Sequence, residues 1–290
     1  MRDTPLSTDP PGYRWAPIVA DDAPEAAQLS TAQGWAHSAD DWRALIAAGH
    51  GIAVRRDEAL VATALCFGRG DIVALGLIIV AAEHRGNGLG RALTTRIIEI
   101  ADARTLRLIA TPVGARLYRR LGFVAGRSIA HYTRPAALSP PLSESSDASV
   151  RPMNEHEGTN VERLVAAATG QQDLFAHAAA TAEAIVVAIE TGRIVGVAMR
   201  RPLADQAIIG PVIAETPAQA IALIVRLSRE CPGRPVRIDW IEDGSEHANL
   251  AALGFAHRGD AQEMWRRANP ETTAAVCAAS QFALASQALG

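Results

Sequence analysis

The chain has 290 residues, of which 49% are hydrophobic and 20% charged, enough for one large domain or two ordinary domains with a proper core. Its net charge of -3 and pI of about 6.2 exclude a global basic field. We therefore expect neither nucleic acid nor a membrane surface as a partner. All basic residues except histidine are arginine, which indicates a composition bias rather than a function.

The ends of the chain and its cysteines exclude further classes. The first twelve residues have no apolar core of the kind a signal peptide needs, and the aliphatic run 72–82 is too short to span a bilayer. Cys66, Cys231 and Cys277 lie far apart without a C-x-x-C spacing, so neither zinc nor a disulfide framework is indicated. We expect a cytoplasmic protein that binds no metal.

Along the first half of the chain, strand and helix patterns both alternate and run consecutively. Strands are predicted near 14–19, 51–56, 60–68, 71–81, 106–110 and 123–133. Helices are predicted near 23–33, 39–48, 89–103 and 114–121. This order predicts an α/β fold with a mixed, mostly antiparallel sheet flanked by helices.

Residues 135–149 are rich in Pro and Ser and have no periodicity, so they are predicted to be a linker. We accordingly divide the chain into a first domain at 1–134, the linker, a second domain at 150–268 and a tail at 269–290. The tail ends in an apolar stretch, and we expect it to dock onto the protein.

The element pattern returns after the linker. The second domain is predicted to have a strand at 150–153, a helix at 157–168, a hairpin at 184–199, a strand at 206–213, a helix at 217–230, a strand at 235–241 and a helix at 246–252. The sequence Leu-Gly-Phe at 253–255 repeats the one at 121–123. This predicts a tandem repeat of one fold, with two unrelated α/β domains as the alternative.

Residues 80–91 (VAAEHRGNGLGR) place three glycines between a buried strand and a helix N-terminus. Unpaired N–H groups and the helix dipole favour an anion there, and Gly86, Gly88 and Gly90 let a phosphate approach the main chain. Arg85 and Arg91 add positive charge. The P-loop is excluded because the chain has no lysine, and the G-x-G-x-G spacing differs from that of the dinucleotide fingerprint. On these residues alone, a purely structural turn stays open.

The wider context of this loop resembles the GNAT superfamily of acyl-CoA-dependent N-acyltransferases. Residues 77–80 (LIIV) followed by Arg85-x-x-Gly88-x-Gly90 and a helix match its R-x-x-G-x-G motif, and residues 108–123 (LIATPVGARLYRRLGF) resemble its second signature. The whole chain looks most like bacterial tandem-GNAT proteins with a degenerate second domain.

The resemblance implies acetyl-CoA as the cosubstrate. Its pyrophosphate would lie on the backbone amides of Gly86, Asn87, Gly88, Leu89, Gly90 and Arg91, with Arg85 at the rim. Its pantetheine arm would run antiparallel beside the main chain of Ile78, Ile79 and Val80, which a splayed strand leaves free.

Transfer of an acyl group from a thioester needs a neutral amine, an oxyanion stabiliser and a proton for the departing thiolate. The resemblance places Tyr118 as the acid, while the amide of Ile79 or Val80 could polarise the carbonyl. Leu117 and Leu121 are expected to face the core, which leaves Tyr118 off that face. Glu83 or His84 could act as the base, but we expect both to be solvated, with water relaying the proton from the amine to bulk solvent. Ile109 departs from the aspartate found in similar tandem proteins.

By analogy with the family, the acceptor pocket should form from residues 34–42. Trp35 and Asp40 are candidates to bind a cationic amine with an apolar body, whereas Ser38-x-x-Asp41 is predicted to be a capping box and Trp42 to begin an apolar helix face.

The second copy has neither the glycines nor the arginine of this loop, and Glu215 would repel a phosphate. The leading hypothesis is an acetyl-CoA-dependent N-acetyltransferase acting on a small-molecule amine; the alternative is a non-catalytic acyl-CoA-binding sensor.

Overall fold

The computed structural model describes residues 10–68, 71–102, 105–136, 149–231, 233–242, 247–267 and 278–289. By its internal contacts the chain forms two compact units that do not follow the order of the sequence. The first contains residues 1–67 and 75–103, and the second contains residues 68–74 and 104–290. Within the described ranges, every helix is too short or too polar to cross a bilayer.

The described elements of the first unit are β1 (Arg14–Pro17), α1 (Ala23–Ala32), α2 (Ala39–Ala48), β2 (His50–Arg56), β3 (Ala59–Phe67), β4 (Ile72–Val80, of which residues 75–80 belong to this unit) and α3 (Leu89–Ile100). Its strands follow one another in the sheet in the order β1-β2-β3-β4. Strand β2 pairs antiparallel with both β1 and β3. The hairpin between β2 and β3 turns at Asp57 and Glu58, which both have positive φ, as a tight two-residue turn requires.

The core of the first unit is built from apolar positions at helical spacing. Leu93 and Ile97 lie one turn apart on α3 and are both fully buried. Trp42 of α2 is also fully buried, and its indole Nε1 donates to Ser30 Oγ at 2.9 Å. Because a buried indole N–H is costly without a partner, this bond fixes α2 against α1.

Ser38 begins helix α2 as predicted. Its Oγ accepts from the Asp41 amide at 3.1 Å, while Asp41 Oδ2 accepts from the Ser38 amide at 2.7 Å. The capping box and the burial of Trp42 are therefore confirmed.

The second unit begins with the last elements of the first copy: β5 (Thr105–Ala110), α4 (Pro112–Arg120) and β6 (Val124–Arg134). Thr111 caps α4 by accepting from the Gly114 amide at 3.2 Å. The prediction for the face of this helix was wrong. Tyr118 is buried, whereas Leu117 and Leu121 are only partly covered.

The remaining elements of the second unit belong to the second copy. They are β7 (Ser149–Pro152), α5 (Gly158–Thr169), α6 (Leu174–Ala179), β8 (Ala184–Glu190), β9 (Arg193–Leu203), β10 (Gln206–Ala214), α7 (Pro217–Arg229), β11 (Val236–Glu242), α8 (His247–Ala252), β12 (Ala256–Arg266) and β13 (Ser280–Ala283). The predicted hairpin is the β8–β9 pair.

The two copies exchange their last strands within this unit. Strand β12, the last long strand of the second copy, pairs antiparallel with β5 of the first copy, with Trp265 opposite Arg107. Strand β6 pairs antiparallel with β11, with Ile238 opposite Tyr132, and β12 and β6 pair with each other. The last strand of each copy therefore pairs with a strand of the other copy. This explains why residues 104–134 of the first copy belong to the same compact unit as the second copy.

The predicted fold class is confirmed: a mixed, mostly antiparallel sheet is flanked by helices, and β10 and β11 form a parallel pair within it. Helix α6 and strands β12 and β13 were not predicted. Residues 137–148 of the predicted linker and residues 269–277 of the tail lie outside the described part of the chain, as does Cys277. The proposed domain boundaries stay a prediction.

Candidate active site

The glycine loop connects β4 to α3 in the first unit. After Val80 the chain makes a short turn at Ala82–His84 and reaches Gly86 and Gly88, whose φ angles are 82° and 79°. Only glycine adopts this left-handed region without strain. Gly88 is the residue before the first turn of α3, and no side chain caps that turn.

The amides of this loop are open to a ligand. Among the described residues, the N–H groups of residues 86–90 donate to no protein atom, whereas the Arg91 amide donates to the Gly88 carbonyl at 3.1 Å. A Cβ added at Gly86 or Gly88 would meet nothing within 4 Å. The first turn of α3 has no acidic residue. Open amides at a helix N-terminus suit a phosphate or pyrophosphate.

Arg85 holds the shape of the loop. Its Nε donates to the Val80 carbonyl at 3.1 Å, and its guanidinium also contacts Gln33 Oε1. Gln33 follows the last residue of α1, so this arginine connects the end of α1 to the end of β4. The Arg91 side chain is exposed. Gln33 was not predicted, because its role depends on a contact between distant segments.

The strand before the loop is interrupted just before the predicted cosubstrate residues. Leu77 has a φ of 52° and its carbonyl accepts from Thr63 Oγ1 at 2.9 Å. A positive φ at leucine is rare and breaks the regular strand. Ile79 is buried, while Ile78 and Val80 are partly exposed. No feature of the sequence indicated this break.

Tyr118 lies in the second unit, packed edge-on against Phe123 with ring centroids 6.0 Å apart. A Cβ at Gly114 would approach its Cε2 atom to 2.9 Å, so the glycine makes room for the ring. Burial raises the pKa of the Tyr118 hydroxyl to about 12. The group therefore stays protonated at neutral pH, and its pKa is higher than the ordinary value expected from the sequence.

The predicted acceptor residues lie in the first unit, after α1. Trp35 is half-buried and packs edge-on against His37 at 6.4 Å. Asp40 lies at the surface, where its carboxylate pairs with Arg43. Trp35 is therefore partly enclosed by its neighbours, whereas the Asp40 carboxylate is exposed to solvent.

Glu83 is exposed as predicted, but His84 is not simply solvated. Its Nδ1 lies 3.1 Å from the Tyr13 hydroxyl, and the Arg56 guanidinium lies over the Tyr13 ring at 5.5 Å. Tyr13 and Arg56 come from distant parts of the sequence, which explains why the contact was missed.

The corresponding helix N-terminus of the second copy is closed by its own residues. Thr216 Oγ1 accepts from the Gln219 amide at 3.3 Å, and Gln219 Oε1 accepts from the amides of Glu215 and Thr216 at 3.0 and 3.1 Å. Pro217, the first helical residue, has no N–H. Glu215 pairs with Arg193 at 3.0 Å. An anion would find no open amide cradle there.

Comparisons with known proteins agree with this architecture. A model described as the acetyltransferase (GNAT) family matches residues 15–123, and one described as an acetyltransferase (GNAT) domain matches residues 161–275. The chain is 30% identical over 196 residues to the uncharacterized N-acetyltransferase YitH of Bacillus subtilis (strain 168), which covers 66% of this chain and 68% of that protein.

Two solved structures share the fold. A proposed acetyltransferase from Pyrococcus horikoshii superposes with a TM-score of 0.76 at 14% identity, covering 100% of this chain and 99% of that one. A tandem GNAT protein from the clavulanic acid biosynthesis pathway superposes with a TM-score of 0.62 at 17% identity, covering 90% and 100%.

The chain belongs to the GNAT family of acetyltransferases. It carries two GNAT domains and is an acyltransferase of the tandem type.

Proposed function

We propose that the protein is an acetyl-CoA-dependent N-acetyltransferase that transfers an acetyl group to a small-molecule amine, using the glycine loop of its first GNAT domain. The observation that carries this proposal is the open cradle: the amides of residues 86–90 make no hydrogen bond to any other described residue, and the space outside Gly86 and Gly88 is free. This arrangement suits the pyrophosphate of a coenzyme A thioester.

Several residues would hold the cosubstrate. The amides of Gly86, Asn87, Gly88, Leu89 and Gly90 would bind the pyrophosphate, and the Arg91 side chain would add charge at the edge of the loop. Arg85 would keep the loop in place through the Val80 carbonyl. The main chain of Ile78, Ile79 and Val80 would bind the pantetheine arm.

Acetyl-CoA would supply the activated thioester when bound. Attack by a neutral amine forms the C–N bond and breaks the C–S bond, and Tyr118 would donate its proton to the departing thiolate. The backbone amide of Ile79 or Val80 would stabilise the negative charge on the carbonyl oxygen. The proton lost by the amine would pass through water to bulk solvent, and water would return a proton to the Tyr118 oxygen.

The acceptor side of the proposal rests on Trp35. Its half-buried indole offers an apolar and cation-attracting surface. Asp40 would contribute only if its surface pair with Arg43 opened. A small amine with an apolar body suits this segment better than a highly charged one.

The first test is calorimetric titration with acetyl-CoA, with NAD as the control ligand. We expect one site per chain for acetyl-CoA and no heat with NAD. Gly88→Ala should weaken acetyl-CoA binding by about tenfold or more. Alanine is strained at this φ, and its methyl group would stand in the open space beside the loop amides, where the phosphate is proposed to bind.

The matched control is Gly192→Ala, since Gly192 has a φ of 77° and is equally open but lies in the β8–β9 turn. Equal losses in both variants, or no binding by the unmodified protein, would overturn the proposal. Binding without turnover over a panel of primary amines would favour the acyl-CoA-binding sensor instead.

A further inference from the structure

The C-terminal segment, residues 280–289, occupies a gap between two strands of the second GNAT domain. Strands β10 and β11 pair in parallel only at Ala207–Val236 and Ile208–Arg237. Beyond that point β13 lies between them, antiparallel to both. The two strands therefore splay apart, and the end of the chain fills the space.

This gap corresponds to the pantetheine slot proposed for the first domain. Strands β4 and β10 each have nine residues and each precede a helix. Aligning them end to end places Val212, Ile213 and Ala214 on the three residues of the proposed slot, Ile78, Ile79 and Val80. The partners of Val212, Ile213 and Ala214 are Ala283, Gln281 and Ser280.

Both strands are also irregular at the same position. In β4 the break is at Leu77, which follows Gly76 and has positive φ. In β10 the register with β9 shifts between Ile209 and Val212, around Gly210 and Pro211. The alignment places Gly76 on Gly210 and Leu77 on Pro211, so the match of the two slots does not depend on strand length alone.

Main-chain contacts hold the segment in the gap. The Leu284 amide donates to the Asp239 carbonyl at 2.9 Å. Arg201 contacts the Ala285 carbonyl and donates from Nε to the Gly210 carbonyl at 3.2 Å. The Leu284 side chain is fully buried with Ile129 and Ile241. Backbone pairing between strand edges is the way in which an extended peptide is bound by β-augmentation.

Buried polar groups also hold the segment. Arg107, which is 1% exposed, donates to Gln281 Oε1 at 3.3 Å and to Gln171 Oε1 at 3.5 Å. Gln171 in turn donates to the Leu289 carbonyl at 2.9 Å. Releasing the segment would leave the Gln171 amide buried without an acceptor and would remove one acceptor of the Arg107 guanidinium, which is unfavourable.

We propose that the C-terminal segment is a built-in peptide ligand of the second GNAT domain, occupying the slot that corresponds to the pantetheine slot of the first domain and closing it to acyl-CoA. The comparison with pantetheine rests on the proposed function. The capping box of Thr216 and Gln219 closes the phosphate end of the same site. The chain therefore binds one cosubstrate rather than two.

Hydrogen exchange on the unmodified 290-residue chain tests this inference. The amides of residues 281–284 should be as protected as those of the neighbouring strand β10, both without ligand and with saturating acetyl-CoA, while calorimetry gives one site. Rapid exchange of these amides without ligand would overturn the inference. So would their deprotection by acetyl-CoA together with a second binding site.

Gly210→Ala probes the slot directly in the 290-residue chain. A Cβ there would overlap the Leu284 carbonyl oxygen and approach Ala285 Cα to 3.5 Å, so it meets atoms of the C-terminal segment. We expect exchange of residues 281–284 to accelerate by about tenfold or more, with little change in β8. The control is Gly158→Ala, where a Cβ meets nothing within 4 Å. Equal exchange in the two variants would contradict the inference.

The two proposals fail separately. Protection of the C-terminal amides without ligand does not depend on acetyl-CoA, so loss of acetyl-CoA binding with a protected segment would remove only the proposed function. If Gly210→Ala did not fold, the exchange pattern of the unmodified chain would still decide whether the segment occupies the slot.

Discussion

Arg107 of β5 forms an ion pair with Glu263 of β12 at 2.8 Å, and the two side chains are 1% and 2% exposed. The pair joins a strand of the first copy to a strand of the second copy within the same compact unit. Arg127 of β6 also donates to Glu263, at 3.2 Å. One buried carboxylate thus joins three strands at the point where the copies exchange their last strands.

Glu263→Gln should destabilise the protein strongly. Removing one partner of a buried pair leaves the other charge uncompensated, and we expect a loss of about 3 kcal/mol in the free energy of unfolding. Urea denaturation followed by circular dichroism measures it. The control is Glu58→Gln, because its pair with Arg14 is exposed and should contribute less than about 1 kcal/mol. Similar losses in both variants would contradict the role of this pair.

The same carboxylate predicts how stability depends on pH. Burial alone would raise the pKa of the Glu263 carboxyl. The positive charges of Arg107 and Arg127 outweigh this effect and lower the pKa to about 2. The folded pKa lies below the unfolded value of 4.5. Its contribution is therefore present above about pH 4.5 and is lost as the pH falls towards 2. Urea midpoints at pH 5, 4 and 3 should fall less in Glu263→Gln than in the unmodified chain; parallel curves would contradict this assignment.

Asp40 and Asp41 are adjacent carboxylates with different expected roles. Asp41→Ala removes half of the capping box of α2 and should cost about 1 kcal/mol of stability. Asp40→Ala removes only an exposed pair with Arg43 and should change stability by less than about 0.5 kcal/mol. Thermal denaturation measures both. A rise in KM for the amine in Asp40→Ala would assign Asp40 to the acceptor site, whereas equal stability losses would contradict the capping assignment.

Local features were predictable because they depend on neighbouring residues. The capping box at Ser38 fixed the start of α2, and the glycines at 86 and 88 indicated the left-handed turns that open the cradle. The repeat of Leu-Gly-Phe indicated the second domain. In each case the side chains that matter lie within a few positions of the backbone that they shape.

The features that were missed depend on contacts between distant segments. Strands β6 and β12 follow equivalent Leu-Gly-Phe turns, so nothing in either sequence shows that each pairs in the other copy. Strand β13 is a four-residue segment whose partners lie more than sixty residues away in β10. The buried face of α4 was misjudged because the space left by Gly114, rather than helical periodicity, determines where the Tyr118 ring packs.

Tyr118→Phe tests the proposed acid. We expect kcat to fall by about a hundredfold or more, with acetyl-CoA affinity unchanged, because only the proton donor is removed. Thiol release with a primary amine acceptor measures turnover, and calorimetry measures binding. The matched control is Tyr132→Phe, another buried tyrosine of the same unit, which should keep full turnover. Since the pKa of Tyr118 is raised to about 12, its titration should not reduce the rate below about pH 10. Unchanged kcat in Tyr118→Phe would exclude the acid role.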